Sequence, residues 1–261
     1  MKKITLLILL VALTFACSSD ETVEGSPKVT QQELPSQNPI KQALHSLDVW
    51  QVADLPTVFT RFIEESQSFT FSKSFFVNSL EERNLEAYRF ALGVKNNKLQ
   101  VICLGVNENN EVINSVFRVG TPNTGAVNIH EVDMQQNMPY DISTIARPDV
   151  RGHILQIKDA LTYLNDWKDV LNNMSTIEDK VSYDGERIKY FTLDKDAMDF
   201  LVNRSNVTAV ELVFGLNPEG KMTTVFFGKN GKNVIFDTTA VNFSLDFTTP
   251  CPNDCDDIRL D

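Results

Sequence analysis

YRFALGVKNNKLQVICLGVNENNEVINSVF, residues 88–117, alternates apolar side chains along short runs broken by KNN and NENNE; VELVFGLNPEGKMTTVFFGKNGKNVIFDTT, residues 210–239, repeats the design. Laid together, Gly93 matches Gly215, and Val112 and Ile113 match Val234 and Ile235. Lys98 and Gly105 match Lys221 and Gly228 once the second copy gains one residue in its first turn and loses one in the next. Side chains alternate across a strand, so Tyr88, Phe90 and Leu92 share one face, as do Val210, Leu212 and Phe214. Arg89 and Glu211 then fall together on the opposite face, a match that a slip of one residue would destroy. Two unrelated hairpins with Asn and Gly in their turns would share part of this pattern, so duplication is an expectation for the structure to test.

Working outward, each copy extends into an antiparallel meander. Strands are expected near 88–94, 98–106, 112–118 and 127–132, and again near 208–216, 222–228, 232–236 and 241–247, with Asn, Gly, Asp and Pro in the reversals. Strands near 69–77 and 188–193 lead into them. Asp54, Leu55 and Pro56 open a helix by an acidic cap and a first-turn proline, with Val58, Phe59, Phe62 and Ile63 as its apolar stripe. Ile40, Leu44, Leu47 and Trp50 mark another before it. The longest helix is expected over 154–173, where Ile157, Leu161, Leu164, Trp167 and Leu171 recur at helical spacing. A shorter one runs from Asp194 to Val202. The fold class is therefore α+β, two duplicated modules that each lay a helix on an antiparallel meander sheet that could not stand bare.

The chain begins MKKITLLILLVALTFAC, with Lys2 and Lys3 before an apolar run and small Ala16 before Cys17. That is the export pattern, and about 12 apolar residues are too few for a span that needs about 20. The cysteine after the cut resembles a bacterial lipobox. The resemblance implies that Cys17 is lipidated, by palmitate among other chains, and becomes the first mature residue; several acyl chains together hold far better than one. Ser18, Ser19, Asp20 and Glu21 resemble the acidic signal behind the lipidated cysteine of surface-displayed Bacteroidota lipoproteins. They imply an outer-membrane lipoprotein exposed at the surface; a periplasm-facing one is the alternative. The expected organisation is a signal peptide at 1–16, a lipidated flexible stalk at 17–39, a first module at 40–133 and a linker at 134–153. A second module follows at 154–250, then a Cys-containing acidic tail at 251–261. Almost no large apolar side chain lies between 18 and 39, so nothing there offsets the entropy of ordering.

The formal charge of the 261 residues is −11, and two units more negative once Lys2 and Lys3 leave. With no clustered Lys or Arg, such a chain is a poor nucleic-acid partner and its charge disfavours an anionic substrate, though a local basic pocket is compatible with it. Cys103, in LQVICLGV, reads as a core residue. Cys251 and Cys255 in TPCPNDCDD are expected to form a local disulfide in an oxidising compartment, closing a loop too short to stabilise much. A redox or soft-metal pair there lacks the spacing and further ligands such chemistry uses. Asp254, Asp256 and Asp257 are weak calcium candidates, needing carbonyl oxygens to complete six or more ligands; no other metal site and no cofactor is expected.

No G-x-S-x-G, H-E-x-x-H, phosphate loop or calcium loop is present. His130, followed by Glu131 and with Asp133 nearby, is the best catalytic lead, but neighbours along a strand point to opposite faces and no catalytic residue is assigned. Asp184, Gly185 and Glu186 read as a hairpin turn. Trp50 and Trp167 fall on apolar helix faces and read as core rather than as a sugar platform. The functional expectation is a non-enzymatic, membrane-tethered extracytoplasmic binding protein whose partner, beyond the lipid anchor, is an envelope protein or an extracellular polymer. The alternatives are a structural envelope protein without a small ligand and an unrecognised hydrolase.

Overall fold

The computed structural model describes residues 39–65, 67–123, 147–231, 233–234, 243–245 and 249–251. Helices α1 (Pro39–Val52) and α2 (Leu55–Glu65) lead to β1 (Ser68–Ser72), α3 (Lys73–Ser79), β2 (Ala87–Lys95), β3 (Lys98–Val106), β4 (Val112–Val119) and β5 (Thr121–Asn123). A 3-10 turn at Pro148–His153 opens the second run: β6 (Ile154–Gln156), α4 (Ile157–Asn172), α5 (Ile177–Lys180), and the β7 (Ser182–Tyr183) and β8 (Glu186–Arg187) hairpin. It continues through β9 (Tyr190–Asp194), α6 (Lys195–Val202), β10 (Ala209–Leu216), β11 (Met222–Asn230), β12 (Asn233–Val234), β13 (Phe243–Leu245) and β14 (Thr249–Pro250). The order strand, short helix, hairpin occurs twice, as the duplication requires, and the α+β class with antiparallel sheets holds.

The two halves exchange strands. One sheet has the order β5-β1-β10-β11-β13-β6, with β12 also on β11, and the other β14-β9-β2-β3-β4. So β1, from the first half, lies beside β10 of the second, and β9, from the second, beside β2 of the first. The registers are equivalent. Phe69 faces Leu212, Thr70 faces Glu211 and Ser72 faces Ala209; at matching positions Phe191 faces Phe90, Thr192 faces Arg89 and Asp194 faces Ala87. Even the flanking main-chain bonds correspond: Lys73 N donates to Thr208 O at 3.1 Å and Lys195 N to Glu86 O at 3.0 Å.

The two turn shifts also appear. Asn96 and Asn97 reverse the chain at φ of 55° and 59°, a conformation Asn tolerates and two-residue hairpins need. The second copy spends one more residue, closing its turn by Asn217 N to Lys221 O at 2.9 Å. The loss in the next turn brings Val234 opposite Lys229 as Val112 stands opposite Val106.

Both sheets turn aromatic faces inward. Phe90 and Phe226 meet at 4.7 Å between ring centroids, Phe71 and Phe90 at 5.7 Å, and Phe59 and Trp167 at 5.5 Å. Trp50 and Phe59 are fully buried in the same cluster, and Trp167 nearly so, so both tryptophans are core, as their helical faces imply. On the outer faces α1 sets Ala43 and Leu47 against Ala91, Ile102 and Leu104, while α4 sets Ala160 and Tyr163 against Val213, Val225 and Phe227. Gly105 and Gly228 stay glycine for one reason: a Cβ would lie 2.6 Å from Val116 in the first case and 2.7 Å from Val207 in the second.

Two expectations are corrected, and a third falls outside the described residues. The strand expected over 69–77 stops at Ser72, whose side chain accepts from Phe75 N and caps α3; Phe75 and Phe76 enter the core from a helix instead. The helix expected from 154 begins at Ile157, because Ile154–Gln156 pairs with Phe243–Leu245, a non-local partner that periodicity cannot register. The strand expected at 127–132 lies outside the described residues.

Candidate functional site

Glu211 and Arg89, the matched pair on the outer faces, are buried at 0 % and 4 % exposure. Their surroundings have diverged. Glu211 is compensated within the fold: Lys229 Nζ lies 2.5 Å from Oε2, Ser68 Oγ donates to Oε1, and Asn123 Nδ2 donates to Oε1 at 2.8 Å. Lys229 is itself 7 % exposed, so both charges are out of water and depend on one another.

Among the described residues Arg89 has no such counter-ion. Its Nη2 donates to Asn110 Oδ1 at 2.7 Å and its guanidinium lies 4.5 Å from the Tyr190 ring centroid, a cation–π contact. Nε and Nη1 are buried without a hydrogen-bond partner among the described residues. Asn110 is presented by a tight loop in which Asn107 N donates to Glu111 O at 3.1 Å and Asn107 Oδ1 accepts from Asn109 N at 2.9 Å. The sequence placed Arg89 and Glu211 on one face but gave no sign that both would be buried; the helices and loops covering them are distant in the chain.

A pocket of about 210 Å³ opens at the tip of the β2–β3 hairpin, lined by Phe69, Leu99, Val119 and Pro122 with Lys95 and Lys98 at its margin. Lys98 pairs with Glu65 at 2.6 Å; Lys95 is exposed. Arg61, one turn from Glu65, donates to Asn96 O at 3.1 Å, adding a third cation beside the same turn. The arrangement offers an apolar floor and ammonium donors, the requirements for a ligand with a carboxylate head.

A third polar cluster gathers at the start of α6. His153 Nε2 lies 3.0 Å from Asp194 Oδ2, and this contact holds the Asp194 carboxyl below the usual range against desolvation. Arg147 reaches Asp149 at 2.7 Å, Asp199 at 2.8 Å and Asp196 at 3.0 Å, raising its own pKa and lowering that of Asp149. These pairs are largely exposed and individually weak.

Of the residues singled out by sequence, Cys17, His130, Glu131, Asp133, Cys255, Asp254, Asp256 and Asp257 lie outside the described residues. Asp184 and Gly185 form the expected turn, at φ of 50° and 86°. Cys103 is a free, fully buried thiol whose pKa burial raises. No disulfide joins two described residues, and Cys255, the expected partner of Cys251, lies outside them. Cys251 is not a free thiol. What the described residues show holding it is main chain, Cys251 N donating to Tyr190 O and Lys189 N to Cys251 O, each at 3.0 Å. Among the described residues no three His, Cys, Asp or Glu converge as a metal set, and no helix is long and apolar enough to cross a membrane. No family model, no curated protein and no solved structure matches this chain.

Proposed function

We propose that this chain is an extracytoplasmic binding protein, tethered to the outer membrane through lipid on Cys17, that recognises an acidic group at the Lys95–Lys98 pocket. The observation that carries the reading is the placement of these two cations around an apolar floor on a chain of net charge −11. Elsewhere the negative field repels an anionic partner, so such a partner is admitted only where the local sign is reversed. An acidic extracellular polymer or an acidic segment of an envelope protein supplies the complementary chemistry. The lipobox-like start and the acidic stalk support the address.

The test uses full-length protein in detergent as bait for detergent-solubilised envelope and for acidic polymers. Wild type should retain a partner whose recovery falls at least tenfold with Lys95→Glu/Lys98→Glu, while Cys17→Ser should leave the membrane fraction with binding intact. Equal recovery by wild type and the charge-reversed variant would remove the pocket from the proposal. Turnover of a polymer without a retained partner would favour a hydrolase.

A further inference from the structure

We propose that the outer face of the five-stranded sheet binds a compact monovalent anion, chloride or a carboxylate group, against the Arg89 guanidinium. The site is independent of the Lys95–Lys98 pocket: six residues along one strand separate Arg89 from Lys95, about 20 Å.

A buried lysine can lose its proton, whereas a guanidinium stays charged in proteins. At 4 % exposure Arg89 has given up most of its hydration, and a buried charge is tolerated when it is paired and hydrogen-bonded. What the described residues supply is one amide oxygen, Asn110 Oδ1 at 2.7 Å, and the π face of Tyr190. Neither carries a formal negative charge. The N–H groups of Nε and Nη1 have no acceptor among the described residues, and each buried donor left so costs about 1–3 kcal/mol. An anion at those donors would satisfy both the charge and the hydrogen bonds.

The duplicated position shows what a compensated site looks like. Glu211 receives Lys229, Ser68 and Asn123. In the half that carries Arg89, the position matching Ser68 is Tyr190 and the position matching Lys229 is Val106, which is buried. The repeat therefore provides no carboxylate for Arg89. The acid beyond Thr192 on the neighbouring strand, Asp194, has its carboxylate bound by His153. The low exposure limits the ligand to a compact anion or to a single carboxylate group inserted from a larger molecule.

The test is the thermal midpoint of the full-length protein at constant ionic strength, with sodium chloride or sodium acetate replacing the bulky sodium isethionate. A saturable rise is expected. At tenfold excess over the dissociation constant the folding equilibrium shifts about elevenfold, or roughly 3–5 °C for a domain of this size. The chloride and acetate arms identify which anion is preferred. Arg89→Met should abolish the rise, and Lys95→Gln should preserve it. An absent rise, or the same rise in wild type and Arg89→Met, would overturn the proposal. If Arg89→Met does not fold, Arg89→Lys should weaken the response, and a bromide-soaked crystal should show an anomalous peak within hydrogen-bond distance of Nε or Nη1. Water alone at that position would overturn the assignment.

Discussion

Phe69 pairs with Leu212 inside one sheet, across the boundary between the two halves of the chain, and the reciprocal pairing of Phe191 with Phe90 makes each half incomplete without the other. Each half places the strand before its short helix, β1 or β9, in the sheet built on the other half's hairpin. Removing β1 exposes an edge of the sheet built on β10 and β11, and removing β9 exposes β2, leaving rows of unpaired main-chain groups. Because Phe90 also meets Phe71 and Phe226 in the shared interior, strand pairing and core packing couple the same residues.

One consequence is a single unfolding transition. Trp50 lies in the first half and Trp167 in the second, and each contacts Phe59, at 6.1 Å and 5.5 Å. Single-tryptophan variants Trp50→Phe and Trp167→Phe should each show denaturant-induced fluorescence and far-UV circular dichroism curves that coincide. A fluorescence transition separated from the dichroism transition in either variant would mean that the halves unfold independently despite the exchanged strands.

The matched glycines give a sharper test. Gly228→Ala places a methyl 2.7 Å from Val207 Cγ2, and such overpacking costs about 1–3 kcal/mol. Val207→Ala removes the obstructing branch at its own cost. In the double variant the loss should be smaller than the sum of the single losses, as expected for contacting residues. Urea denaturation of the four proteins measures this. Additive losses would show that the clash is relieved elsewhere.

How much of this was legible in the sequence follows from the range of each interaction. The hairpins, their Asn and Gly turns and the match of Gly105 with Gly228 are local, and periodicity carried them. The exchange was hidden because β1 and β9 satisfy the alternation rule beside either sheet; the choice rests on partners such as Ser68 and Glu211, which are 143 residues apart. Ser72 and Ile154 were misplaced for related reasons. A serine cap ended one strand, and a distant strand recruited the start of an expected helix. The Arg89 and Glu211 environments were invisible in the same way, since their shared face could be read but the residues that bury them could not.

Acidification provides a prediction with a definite sign. Hydrogen bonding to His153 holds Asp194 below the usual carboxylate pKa. A lowered folded-state value contributes stability in full above the unfolded pKa near ~3.9 and loses it as pH falls through the lowered value. His153→Gln should reduce this contribution. In urea titrations from about pH 5 to about pH 2, wild type should hold a small advantage at the upper end that shrinks on acidification. A gap that widened toward low pH would contradict the pairing.

The buried pair on the other sheet is expected to behave as a unit. Lys229→Met leaves Glu211 fully enclosed, with Ser68 and Asn123 as remaining donors but no counter-ion, and breaking such a pair from one side costs about 3–5 kcal/mol. Glu211→Gln alone strands the Lys229 ammonium and should be comparably harmful. Combining Lys229→Met with Glu211→Gln removes both charges while Ser68 and Asn123 still have an amide oxygen to bind. The double variant should therefore recover most of the stability lost in either single one, because the desolvation of two ions no longer opposes folding. Thermal and urea denaturation of the four proteins separate the cases. Losses that simply add would show that Lys229 and Glu211 act independently and that their 2.5 Å contact contributes little to the fold.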